Sequence, residues 1–129
     1  MSNLIMKTKD ARDGYTEIVV NAIDDIRDGL VIYQKGNTYT DDGYMEFNLI
    51  LTKDILWGQN KINAKLAKAL KSIANHWDCD FNDDHEFITT NDDRDQALIN
   101  LIQCISAAIG YCWALHDVQS NKIVKPDKE

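Results

Sequence analysis

From Ala97 to Leu115 the chain reads ALINLIQCISAAIGYCWAL, in which Asn100, Gln103 and Ser106 are the only clearly polar side chains. Wound into a helix, this segment is apolar on nearly every side and must be covered all round, by the rest of the domain, by a second copy or by lipid. It is expected to be a buried central helix running to about Val118. Thr90 or Asn91 is its expected cap, and Asp92, Asp93 and Asp95 suit the positive end of its dipole. A mean hydropathy of roughly 1.6 is close to that of a spanning helix, but the charged flanks give little positive-inside bias, and Asn100 and Gln103 are costly in lipid. No membrane partner is therefore expected. Ser106 and Gly110, with Ala107 and Ala108 between them, leave one side small enough for another backbone to approach, which points to a homodimer through the 97–115 helix.

The remainder of the 129 residues supplies what such a helix packs against, in a single domain over 1–129 with loose termini at 1–14 and 119–129. From Glu17 the apolar residues Ile18, Val19, Ala22, Ile23, Ile26 and Leu30 fall at helical spacing behind a Thr16 cap, although a strand would also accept the β-branched run Ile18, Val19, Val20. Leu30–Gln34 is short and β-favouring. Lys35-Gly36-Asn37 and Asp41-Asp42-Gly43 are turn signals on either side of Thr38-Tyr39-Thr40, and Tyr44–Leu51 alternates like a strand. A helical region beginning at Thr52 or Asp54 breaks at Trp57-Gly58. A firmer helix follows, with Ile62, Leu66, Ala69, Leu70, Ile73 and Trp77 on one face and Lys61, Lys65, Lys68 and Lys71 on the other. A short edge strand is expected around Phe87 and Ile88. The fold class is α+β, with a small antiparallel sheet of two to four strands packed on about three helices, the C-terminal one buried.

Charge narrows the partners. The net charge of −7 and pI near 4.8 repel phosphate backbones, so no nucleic acid is expected. Residues 53–71 carry five lysines and one aspartate, whereas 78–95 carry seven aspartates, one glutamate and one arginine. Cys79, Cys104 and Cys112 are an odd number, unlike a secreted disulfide framework, and Leu4, Ile5 and Met6 make too short an apolar run for a signal core. A cytoplasmic location is expected.

The residues offer several incomplete chemical patterns. Asp78, Asp80 and Asn82 alternate as calcium-loop ligands do, but Asp83 replaces the turn glycine and Thr89 the bidentate glutamate. His76, Cys79 and His85 lack a fourth zinc ligand close by. Cys112 and His116 lie one helical turn apart, yet a cysteine in an apolar helix is ordinarily a small core residue. No Gly-x-Gly or Gly-Lys-Ser/Thr cradle occurs. No catalytic residue, metal ligand or cofactor is assigned.

A dense carboxylate block steers a cationic partner and raises its association rate. The expected function is thus a non-enzymatic protein-binding module, an acidic inhibitor or immunity-type protein that blocks a basic enzyme. Its contact residues are Asp78, Asp80, Phe81, Asp83, Asp84, Glu86, Asp92 and Asp93, with Phe81 and Phe87 as apolar anchors. The alternative is a small-ligand or metal-ion binder using the acidic 78–95 loop or the groove beside the lysine helix.

Overall fold

The structure, a computed structural model, describes residues 5–23, 29–43 and 64–124. Four strands come first: β1 (Ile5–Asp10), β2 (Thr16–Ile23), β3 (Gly29–Lys35) and β4 (Thr38–Thr40). Helix α1 (Ala64–His76), the short strands β5 (Asp80–Phe81) and β6 (Phe87–Thr90), and helix α2 (Arg94–Val124) follow. The strands form one six-stranded sheet in the order β1-β2-β3-β4-β6-β5, with every neighbouring pair antiparallel. The class is α+β. The sheet is larger than the two to four strands expected, and two α-helices lie among the described residues rather than about three.

Much of the difference arises at 17–23 and 29–30, where the structure has strands β2 and β3 in place of the expected helix; Ile26 lies outside the described residues. Ile18 lies at helical offset from Ala22 but two residues from Val20, and the strand solution buries Ile18 and Val20 completely on one face, with Ile18 opposite Ile32. Val19 pairs with Val31 on the other face. Three consecutive β-branched residues gain more from such cross-strand packing than from a helix, where their χ1 freedom is restricted. β2 then serves as template for β1, so Ile5–Asp10 is a paired strand and not a loose lead-in. The expected strand at 44–51, the helical region from 52 and Ile62 lie outside the described residues.

Turn chemistry sets the connections. Gly36 and Asn37 join β3 to β4 as a two-residue hairpin, and Gly36 takes φ +63, which a side chain disfavours. At the end of α1 the Cys79 N–H donates to the Ala74 carbonyl at 2.9 Å and Asp78 N–H to that of Asn75 at 3.4 Å, with Asp78 at φ +60. This is a Schellman stop, with aspartate where glycine is usual.

One core joins the sheet to both helices. Ile18, Val20, Leu30, Ile32, Tyr39, Phe81 and Phe87 from the sheet share it with Leu70 and Ala74 of α1 and with Ala97, Leu98, Leu101, Cys104, Ile105, Ala108 and Cys112 of α2. Asn100 is buried in the same wall, and Gln96 donates to its side-chain oxygen at 2.8 Å. α2 is not covered all round. Ile99, Tyr111 and Trp113 remain 38%, 39% and 37% exposed; among the described residues the sheet and α1 enclose only part of its circumference. By length and composition Arg94–Leu115 would suffice to cross a membrane; here one side of it packs into the domain core. The helix continues past Val118 to Val124, since its polar last turns contain no glycine or proline stop before Pro126.

Candidate protein-binding surface

The acidic stretch 78–95 crosses the sheet edge, and β6 divides it into two groups. One occupies the β5–β6 hairpin over residues 82–86, and the other the lead into α2 at residues 91–95. The two ends of a four-residue strand separate them, so they do not form one continuous face.

The hairpin is tied together by Asn82. Its side-chain oxygen accepts the N–H groups of Asp84 at 3.0 Å and Glu86 at 2.9 Å, and its amide donates to the Glu86 carboxylate at 3.1 Å. Backbone bonds from Asn82 to Glu86 and from His85 to Asn82, each 3.0 Å, close the loop. The His85 ring stacks on Phe81 with centroids 5.5 Å apart. Asp83 and Asp84 stand exposed at the tip, and neither enters an ion pair among the described residues.

Asp78, Asp80, Asp92 and Asp93 have structural occupations. Asp78 ends α1, and its carbonyl accepts the Thr89 hydroxyl at 2.8 Å. Asp80 meets Lys71 at 2.7 Å; that ammonium holds the Asp80 carboxyl below its usual range against the opposing effect of desolvation, and the Phe81 N–H adds to the lowering. Asp92 accepts from the Asn37 side chain at 2.9 Å, which fastens the β3–β4 turn to the start of α2. Asp93 is the cap of α2, in place of Thr90 or Asn91: its carboxylate accepts Gln96 N–H at 3.2 Å and its carbonyl accepts Ala97 N–H at 3.0 Å. Asn91 supports it by accepting the Asp93 N–H at 2.8 Å.

The aromatic residues expected as partner anchors belong to the core. Phe81 is 3% exposed and Phe87 is fully buried, with their rings 4.7 Å apart. Alternation explains this, since Phe81 and Phe87 are cross-strand partners on the helix-covered face, whereas Asp80 and Ile88 pair on the opposite face.

Among the described residues no group of three or more His, Cys, Asp or Glu side chains converges as a metal ion requires. Asp80 is engaged by Lys71, Asn82 by its own hairpin, and Cys79 by the core. The His116 side chain, half of the Cys112–His116 pair, lies outside the described residues.

Asp41 and Asp42, legible in the sequence only as part of a turn, belong beside the hairpin. Buried Asp41 accepts Phe87 N–H at 2.9 Å and Gly43 N–H at 3.0 Å, and its own N–H donates to the Phe87 carbonyl at 3.1 Å. Exposed Asp42 is thereby carried to the hairpin's flank, and a Cβ at neighbouring Gly43 would lie 3.9 Å from the His85 carbonyl. The Asp-Asp-Gly turn is visible as a local pattern; its neighbour across the sheet is not. Comparison of the chain with protein-family models, with curated proteins and with solved structures finds no match.

Proposed function

We propose that this protein is a binding module that captures a basic protein partner and, where that partner is an enzyme, inhibits it in the manner of an immunity protein. The observation that carries this reading is the pair Asp83 and Asp84, exposed on a hairpin fixed by the Asn82 bonds and outside any ion pair among the described residues. Charges on a rigid loop lose little conformational freedom when they meet a cationic surface, and a net charge of −7 adds long-range attraction. Asp42 extends the carboxylate patch. Asp92 and Asp93 secure the start of α2, and Asp80 is already neutralised by Lys71, so the hairpin is the principal contact.

A pull-down from the native host, repeated with Asp83→Lys/Asp84→Lys, tests the reading. A basic protein should be retained by the wild type, released by moderate salt, and lost from the variant at an unchanged melting temperature. A partner that binds both forms equally, or that is itself acidic, would overturn it.

A further inference from the structure

Cys79, Cys104 and Cys112 are buried free thiols, and two of them meet. Cys79 sits in the corner between α1 and β5, and Cys104 lies on the core-facing stripe of α2 between Leu101 and Ala108. Both belong to the one hydrophobic core, and their side chains are hydrogen-bonded to each other. Cys112 is kept out of the pair by its own helix. It follows Cys104 by eight residues, a rise of about 12 Å, whereas the Cα atoms of a disulfide lie within about 7 Å.

The corner that carries Cys79 is firmly built. The Cys79 N–H donates to the Ala74 carbonyl at 2.9 Å, its thiol donates to the Trp77 carbonyl at 3.4 Å, and the preceding Asp78 carbonyl accepts the Thr89 hydroxyl at 2.8 Å. These bonds hold the Cys79 sulfur at a fixed place against α2. The two thiols differ in access: Cys79 is 7% exposed and Cys104 fully buried, so a small solute reaches Cys79 first. Cys79 also ionises more readily than Cys104, because it accepts the hydrogen bond that Cys104 gives. One sulfur is thus open to attack an oxidant while the other waits behind it, the arrangement of an attacking and a resolving cysteine.

We propose that Cys79 and Cys104 form a reversible redox pair whose disulfide ties the base of the β5–β6 hairpin to α2. With hydrogen peroxide as oxidant, the Cys79 thiolate attacks one peroxide oxygen and becomes a sulfenic acid, and the released hydroxide takes up the proton that Cys79 gave. The Cys104 sulfur then attacks the sulfenic sulfur, the S–S bond forms, and the displaced hydroxide leaves as water with the Cys104 proton. Two thiols lose two electrons, and one peroxide is reduced to two waters. The closed loop contains β5, the acidic hairpin, β6 and the first turns of α2. The pair is independent of what the hairpin binds.

The test treats the reduced full-length protein, freed of reductant, with a small excess of hydrogen peroxide under native conditions, followed by alkylation, proteolysis without reductant and mass spectrometry. The intact protein should lose the mass of two hydrogen atoms, the peptides carrying Cys79 and Cys104 should appear as one linked species, and dithiothreitol should restore both thiols. Closing this loop constrains the unfolded chain, so the oxidised form should melt several degrees higher. Cys112→Ser should behave as wild type, and Cys104→Ala should leave Cys79 as a sulfenic acid that dimedone traps. Should Cys104→Ala fail to fold, the wild-type peptide map decides alone. Sulfinic acid at Cys79 beside a free Cys104 thiol, a link to Cys112, a link that forms only after urea is added, or a linked form that melts below the reduced one would overturn the pair.

Discussion

The Asp41 carboxylate accepts the backbone N–H of Phe87, 46 residues further along the chain, at 2.9 Å in a fully buried setting. With the return bond from Asp41 N–H to the Phe87 carbonyl, this contact extends the β4–β6 pairing by one side-chain-mediated step. It also fixes where the acidic hairpin begins relative to Asp42.

Asp41→Ala leaves the Phe87 and Gly43 N–H groups without their acceptor. An orphaned buried donor costs about 1–3 kcal/mol, and the part-buried Gly43 N–H costs less than the buried Phe87 N–H, so a total loss near 3 kcal/mol is expected in urea denaturation. Asp41→Asn retains one acceptor oxygen and should cost less. Asp84→Ala, at the exposed tip, should fall within about 0.5 kcal/mol of wild type.

Asp78 occupies a left-handed position at the end of α1, where a side chain is strained. Asp78→Gly should raise stability by about 0.5–1 kcal/mol, because relief of the left-handed strain exceeds the added freedom of the unfolded chain. Calorimetry should show a higher melting temperature for the variant, and a lower one would contradict the assignment. Partner capture should be unchanged, because the residue's part is to stop the helix.

The Lys71 ammonium lowers the Asp80 carboxyl, with help from the Phe81 N–H, so the folded state binds this proton more weakly than the unfolded chain does. The resulting stability is present above about pH 4 and is lost as pH falls through the depressed folded value. The stability gap between wild type and Asp80→Asn should therefore shrink in acid melts below about pH 4. Both partners are about half exposed, so the gap should be modest even at neutral pH, and added salt should narrow it.

Cys79 and Cys104 lie together in the core as free thiols. Hydrogen bonding between the two sulfurs holds the Cys79 thiol below its usual range and raises that of Cys104, with burial adding to the rise at Cys104. Brief alkylation of the native protein followed by mass spectrometry should label Cys79 ahead of Cys104, since thiolate is the reacting form and Cys104 has no exposed surface. Equal labelling would contradict the arrangement.

Local chemistry made several elements legible. Gly36-Asn37 and Asp41-Gly43 are turns because glycine and aspartate tolerate the required backbone angles, and α1 follows from its apolar stripe and lysine face. Over 17–30, Ile18, Ala22 and Ile26 suit a helix while Ile18 and Val20 suit a strand; pairing with Val31 and Ile32 decides between them. The acidic stretch identifies Asp83 and Asp84 as candidates, but not that Phe81 and Phe87 point inward. Nor does it reveal that Cys79 and Cys104 meet in the core.

By itself, then, the sequence determined the excess of negative charge, the positions of the tight turns and the helical character of 97–115, because each depends on residues a few positions apart. Only the tertiary structure decided which strands pair, which carboxylates remain free of the fold's own hydrogen bonds, and which side of α2 is buried. These depend on contacts between segments distant in the chain, where small differences in packing choose among conformations that local preference leaves nearly equal in free energy.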